Sequence, residues 1–355
     1  MGEKRYTRRC LLKGLMATAV ALPVGIMSTH AVGVGNERKS GSLEMVPRRV
    51  LHLSTKRLAL QDAERLFKLG RVWGFNTVIL AVAWRGSASL NSMPWVSKHK
   101  FAWTPSMLRE LSDLARSLGY DVIPHLPLLS KANKLFLGER SELLFNKSTY
   151  DPRNENVYET VLPIIDEIVD LMEPKSLHIG HDEIVGWKKK HYQKGWLKSD
   201  EKMLPSEVFA EDVLRIYKYL YKKEVQTWMW GDMLVSKEEF PSITAHGSLH
   251  LGLEKLGYGR HLRKAMPRDI VMCDWQYRNK APEFPTLKAF LDDGFSALGA
   301  TFEDLSVTEK FSRYAAKNEA AGMIATTWYY VMRKDWEMVD RIIKESGRIF
   351  SKSFP

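Results

Sequence analysis

The feature that most narrows the folds open to this chain is an alternation of short apolar runs with amphipathic stretches, sustained along most of its length. The apolar runs, rich in Val and Ile, fall at residues 50–53, 77–82, 121–125, 176–179, 225–230, 270–275, 296–300 and 323–328. Between them lie stretches with helical spacing at residues 60–69, 105–118, 156–172, 207–221, 286–292 and 308–320. A strand that is apolar on both faces is buried on both, and strands alternating with helices pair in parallel through crossovers. Eight such strands over residues 48–355 predict an α/β chain folded as one (β/α)8 barrel, with neither an internal repeat nor a second domain. Residues 241–262 carry Gly247, Gly252, Gly257 and Gly259, and read as a long loop over the barrel mouth.

The first residues obey a different logic. Thr7-Arg8-Arg9-Cys10-Leu11-Leu12-Lys13 sets two arginines before an apolar stretch that runs to Met27, with Thr29-His30-Ala31 as a small-residue cleavage site. Residues 1–31 thus look like a twin-arginine export signal, and residues 32–47, rich in Gly, Ser and charge, like a linker behind it. Lys13 and Pro23 leave the stretch short of the roughly 20 clean apolar residues that a spanning helix needs. The expectation is an extracytoplasmic bacterial protein that meets the export machinery, and the membrane only transiently. Cys10 falls inside the signal, so Cys273 stands alone and no internal disulfide is expected. The formal charge of +11 is spread out, with Lys188-Lys189-Lys190 and Lys222-Lys223 as the only short runs. Without an arginine stripe or a stacking motif, this argues against nucleic acid as a partner.

Chemistry concentrates at Leu177-His178-Ile179-Gly180-His181-Asp182-Glu183-Ile184. Neighbouring side chains on a regular strand point to opposite faces, so Asp182 and Glu183 address one ligand only where the strand is ending. That is the end at which a (β/α)8 barrel keeps its chemistry. Adjacent carboxylates repel, which raises the pKa of at least one of them, and an acid that stays protonated near neutral pH can protonate a leaving oxygen. Such a dipeptide elsewhere simply caps a helix; here the surrounding residues favour the chemical reading. Trp84, His125, Asp182, Glu183, Trp230, Asp232, Trp275, Tyr277 and Trp328 all fall at strand C-terminal ends. Aromatic rings with interspersed carboxylates suit a carbohydrate. His178 reads as a structural imidazole bonded to a neighbouring acid, while His125 and His181 read as substrate-binding or acid-tuning groups. His125, His181 and Asp182 have no recognised metal spacing, so neither a metal nor another cofactor is expected.

The His-Ile-Gly-His-Asp-Glu segment resembles the His-x-Gly-Gly-Asp-Glu signature of glycoside hydrolase family 20, the β-N-acetylhexosaminidases. The likeness extends upstream through Asp151-Pro152, Asn154, Tyr158 and Glu167. It continues at Ser54-Thr55-Lys56-Arg57 (the family's Asp-x-x-Arg), at Trp230-Gly231-Asp232 and from Gly322 to Trp328. The departures are specific. His181 stands for the family's second Gly, Pro124-His125-Leu126-Pro127 for Asp-x-Pro-Gly-His, Ala81-Val82-Ala83-Trp84 for the region of His-x-x-Asp, and Phe302-Glu303-Asp304 for Tyr-x-Asp. Tyr329 and Tyr330 follow Trp328 where the family has an acid. The resemblance implies hydrolysis of a terminal β-linked N-acetylhexosamine or related sugar by a substrate-assisted retaining route. Glu183 would be the general acid and base, and Asp182 would hold the 2-acetamido group. Arg57 would bind ring hydroxyls, and Trp230, Trp275 and Trp328 would form the walls. Tyr277, Tyr329 or Tyr330 would replace the missing tyrosine. Two alternatives stay open: a carbohydrate-binding barrel without activity, and a retaining glycosidase in which Asp232 or Glu303 is the nucleophile.

Overall fold

The computed structural model describes residues 46–82, 88–96, 102–136, 140–146, 148–184, 203–243 and 257–355. Met1–Glu44 and Met45–Pro355 are separate units, and every described residue belongs to the second. The proposed export signal, nearly all of the linker, Trp84 and the centre of the expected 241–262 loop lie outside the described residues.

Eight parallel strands close into a barrel in sequence order: β1 (Arg48–Ser54), β2 (Thr77–Ala81), β3 (Asp121–Leu128), β4 (Ser176–Gly180), β5 (Gln226–Trp230), β6 (Val271–Trp275), β7 (Ala297–Thr301) and β8 (Gly322–Thr326). Each is followed by a helix: α1 (Leu60–Val72), α2 (Pro105–Ser117), α3 (Asn156–Met172), α4 (Ser206–Lys222), α5 (Arg260–Ala265), α6 (Pro285–Asp292), α7 (Leu305–Lys317) and α8 (Trp336–Ser353). The expected (β/α)8 architecture is the one observed. Helix α7 begins earlier than its apolar spacing predicts because the Asp304 carboxylate accepts from the Ser306 and Val307 amides at 3.0 and 3.2 Å. Helix α5 occupies the end of the stretch expected to be loop. Helix α8 lies beyond the assigned stretches and starts at Asp335, which accepts from the Met338 amide.

Strand alternation sorts the side chains into two cores. Val50, Ile79, Ile123, Trp228, Trp230, Val271, Cys273, Leu298, Ala300 and Ile324 fill the barrel interior. Their strand neighbours, such as Leu51, Leu53, Val78, Leu80, Leu177 and Ile179, pack outward against the helices. Fully burying each large aliphatic side chain contributes about 1.5–3 kcal/mol, so the closed sheet rests on both layers. Register breaks between β3 and β4, where the pairing shifts between His125 and Leu128. Pro127 lies in that interval and has no amide hydrogen to give the ladder. The irregularity falls at the end of β4 where the acidic pair follows.

The seam between β8 and β1 depends on Gly322, which pairs with Arg48 at φ 145°. A Cβ there would collide with the Arg48 carbonyl. Gly322→Ala is therefore expected to destabilise the barrel by about 3 kcal/mol or more. Chemical denaturation followed by circular dichroism measures this, and an unchanged midpoint would contradict the assigned closure.

Candidate active site

Three of the four residues from Gly180 to Glu183 have left-handed backbone: Gly180 at φ 78°, His181 at φ 63° and Glu183 at φ 46°. This breaks the strand alternation, so that Asp182 and Glu183 both reach the group of side chains at the barrel mouth. Gly180 cannot be replaced easily, since a Cβ would sit 3.0 Å from the Pro127 Cα and 3.1 Å from the Leu126 carbonyl oxygen. His181 occupies a conformation that favours glycine, which accounts for the second glycine of the resembled signature.

The His181 ring turns away from the mouth, contrary to its expected role in substrate binding. Its Nδ1 meets the Ile179 carbonyl at 3.1 Å and its Nε2 meets Asp212 Oδ2 at 2.8 Å. The ring is fully buried against Phe209 of α4. Asp212, also fully buried, accepts further hydrogen bonds from the Tyr150 hydroxyl at 2.9 Å and the Tyr158 hydroxyl at 2.7 Å. This network ties the strained end of β4 to α3 and α4.

At the mouth, Asp182 is buried; its Oδ1 accepts from Ser130 Oγ at 3.2 Å and its Oδ2 pairs with the Lys131 ammonium. Asp232, fully buried at the end of β5, accepts the Glu183 amide at 3.1 Å and is also hydrogen-bonded by the Trp275 side chain. Three carboxyl groups and one lysine thus share the site, and their environments separate them. Burial opposes ionisation of Asp182, but the Lys131 charge and hydrogen bond outweigh it and hold the group below its ordinary range. Burial, then the Asp182 charge, pushes Glu183 up. Burial, with Asp182 and Glu183 adding to it, raises Asp232 strongly. The arrangement favours one carboxylate beside two carboxylic acids.

Below the acids, three imidazoles and two indoles line the inner floor. His52 Nε2 lies 3.3 Å from His125 Nδ1, and the His125 ring is 4.5 Å from that of His178. Trp230 contacts His178 at 4.6 Å between centroids, and Trp328 contacts His52 at 4.7 Å. Burial lowers the pKa of His52 to about 4 and takes His125 and His178 well below the ordinary imidazole value. These rings are uncharged at neutral pH. His178 accepts from the Gly180 amide at 3.1 Å, a backbone partner in place of the acid expected from sequence. Among the described residues, His125 Nε2, His178 Nε2, Trp230 Nε1 and Asp232 Oδ1 are buried without a hydrogen-bond partner. No group of three or more His, Cys, Asp or Glu side chains among the described residues has metal-binding geometry, and His181 points away from both Asp182 and His125.

One wall is aromatic. Trp275 and Tyr277 are 5.2 Å apart, the Trp328 indole donates to the Tyr277 hydroxyl at 3.1 Å, and Trp230 lies 5.7 Å from Trp328. Tyr330 instead bonds Glu303, and Arg57 is exposed in the turn after β1 at φ 61°. The structure therefore brings together Asp182, Glu183, Asp232, His125, His178, Trp230, Trp275, Tyr277 and Trp328, excludes His181, and leaves Arg57 on the surface. His52, Ser130 and Lys131 join the site unforeseen. The inward parity of β1 identifies His52, whereas Ser130 and Lys131 lie on a loop without periodic signal.

The sequence matches the family model for glycosyl hydrolase family 20, catalytic domain, over residues 85–342, and the chain belongs to that family. It is similar in structure to the chitobiase of Flavobacterium johnsoniae, at 14% identity and TM-score 0.59 over 87% of this chain and 51% of that one. It is also similar to the β-N-acetylhexosaminidases of Bacteroides fragilis (12% identity, TM-score 0.62, 86% and 66% coverage) and Streptomyces coelicolor (14%, 0.59, 86% and 65%). This chain spans about half to two thirds of those proteins' length, and at such identities the likeness is one of fold. No curated relative matches the sequence.

His181→Ala would leave the buried Asp212 carboxylate short of one partner and is expected to cost about 2–4 kcal/mol. Urea denaturation reads this directly; a loss below about 0.5 kcal/mol would mean that the network does not anchor the end of β4.

Proposed function

We propose that the chain is an exported glycoside hydrolase that removes a terminal β-linked N-acetylhexosamine, or a closely related sugar, with retention of configuration. The observation that carries this reading is the geometry at the end of β4: the left-handed backbone at residues 180, 181 and 183 brings Asp182 and Glu183 to one mouth, where Lys131 and Ser130 bond Asp182 and Asp232 holds the Glu183 amide. In the first step Glu183 gives its proton to the glycosidic oxygen as the bond to the anomeric carbon breaks. The carbonyl oxygen of the substrate's 2-acetamido group bonds to that carbon, giving an oxazolinium ion, while Asp182 accepts the acetamido N–H. In the second step Glu183, now a carboxylate, takes a proton from water. The water oxygen opens the oxazolinium ring, restoring the acetamido group and releasing the sugar.

The surroundings support this assignment. Trp230, Trp275, Trp328 and Tyr277 form an aromatic boundary suited to a pyranose face, and Tyr277 takes the place of the absent family tyrosine. A protonated Asp232 offers a donor to a sugar hydroxyl, as do the unpartnered ring nitrogens of the floor. A route through an enzyme nucleophile is less well served, because Asp232 favours its protonated form and Glu303 is engaged by Tyr330. The basic twin-arginine segment at residues 1–31 supports export to an extracytoplasmic compartment.

Glu183→Gln is expected to lower kcat on an aryl β-N-acetylglucosaminide by about 10²–10⁴-fold with an unchanged circular dichroism spectrum. Turnover at the wild-type rate would end the assignment of Glu183. Activity should form a bell in pH. It falls at low pH as Asp182, depressed by Lys131, gains a proton, and falls at high pH as Glu183, raised by burial and by Asp182, loses one. Aryl glycosides lacking the 2-acetamido group should be hydrolysed orders of magnitude more slowly; equal rates on both panels would exclude the substrate-assisted route.

A further inference from the structure

The loop after β3, which carries the Lys131 that meets Asp182, is built with unusual constraint. Ser130 donates its amide to the Leu128 carbonyl at 2.7 Å around Leu129, which lies at φ 61°, and Lys131 follows at φ 56°. Neither residue is a glycine, so both conformations are strained and persist only because the surroundings impose them. The imposing contacts are visible. Tyr150 donates its amide to the Leu129 carbonyl at 3.2 Å, and Ala132 donates to the Ser148 carbonyl at 2.9 Å. The result is that consecutive side chains, Ser130 and Lys131, bond the two different oxygens of Asp182. The ion pair is not a solvated surface contact, since the Asp182 side chain is only 8% exposed and that of Lys131 35%.

We propose that Lys131 is a positioning residue of the hydrolytic site, whose ammonium keeps Asp182 as the anion that meets the sugar and thereby leaves the proton on Glu183. The inference rests on the glycosidase reading above and deepens it. Two adjacent acids at one strand end are degenerate by themselves, and either could carry a shared proton. Lys131 removes the degeneracy because it contacts only one of them. The other groups facing the pair act on Asp182 less than Lys131 does, His125 among them. Asp232 on β5 is a third acid, and His52 on β1, His125 on β3 and His178 on β4 are buried and uncharged. Tyr277, after β6, is a neutral phenol. Lys131 is the one cationic side chain that bonds a carboxylate in this group among the described residues.

The test compares the full chain with its Lys131→Met, Lys131→Gln and Lys131→Arg forms. The pH dependence of kcat/KM on an aryl β-N-acetylglucosaminide is followed from about pH 3 to about pH 9. Removing the positive charge raises the proton affinity of both acids, so in Lys131→Met and Lys131→Gln the whole bell should move up by about one pH unit or more. At a fixed pH on the acid side this is an approximately tenfold loss. Lys131→Arg should keep the bell in place. A bell that shrinks without moving would overturn the proposal and reduce Lys131 to a structural role. In parallel, ¹³C-carboxyl titration of the same proteins, with Asp182 assigned through Asp182→Asn, follows that group without any turnover. A midpoint that rises when Lys131 is neutralised sustains the inference about the pair even if no glycoside is cleaved, which would count against the glycosidase reading alone. An Asp182 midpoint unmoved in an active enzyme would sink the inference and leave that reading standing. Should Lys131→Met fail to fold, Lys131→Gln, which keeps a hydrogen-bond donor, reports the same shift.

Discussion

The backbone reversal at Gly180–Glu183 is the constraint on which the rest of the site depends. A regular continuation of β4 would send Asp182 and Glu183 to opposite faces, one into the barrel and one into the helix layer. Left-handed turns at positions 180, 181 and 183 prevent that. The strain is held by contacts outside the mouth: the His181 ring is bonded to the Ile179 carbonyl and to Asp212, which two tyrosines also bond. Packing behind the barrel thus decides geometry in front of it, and the substitution of histidine for glycine turns a permissive position into an anchored one.

Electrostatics then differentiates side chains that the backbone has placed together. Burial acts on every group in the mouth and always favours the neutral form. Uniform burial would yield three protonated acids and three neutral imidazoles. The single departure is local, where Lys131 keeps Asp182 ionised against that tendency. The outcome is a nearly uncharged cup with one compensated ion pair.

The barrel was legible because it is periodic: alternating apolar runs and amphipathic stretches mark all eight strands, whereas helix α8 was not assigned, helix α5 fell in a stretch read as loop, and element ends were set by caps such as Asp304. The aromatic wall was legible for a related reason. Trp230 and Trp275 close strands whose ends are readable, although Trp228, two residues earlier on the same face of β5, lies in the sealed interior. Local sequence gives no such access to orientation after a strand ends. His181 looked like a mouth residue because it adjoins Asp182, and a positive φ sent its ring elsewhere. Lys131 was invisible for the opposite reason. It is remote in sequence from Asp182 and reaches it through a strained turn that no hydrophobic pattern announces.

The contact between His52 and His125 leaves the position of one hydrogen open in the floor of the mouth. Two neutral imidazoles sharing one hydrogen bond have two tautomeric arrangements of equal net charge. When His52 Nε2 donates, His125 Nε2 carries a hydrogen and offers it inward; when His125 Nδ1 donates, the same Nε2 becomes a lone pair. This corner of the floor can therefore present either a donor or an acceptor without any change in protonation.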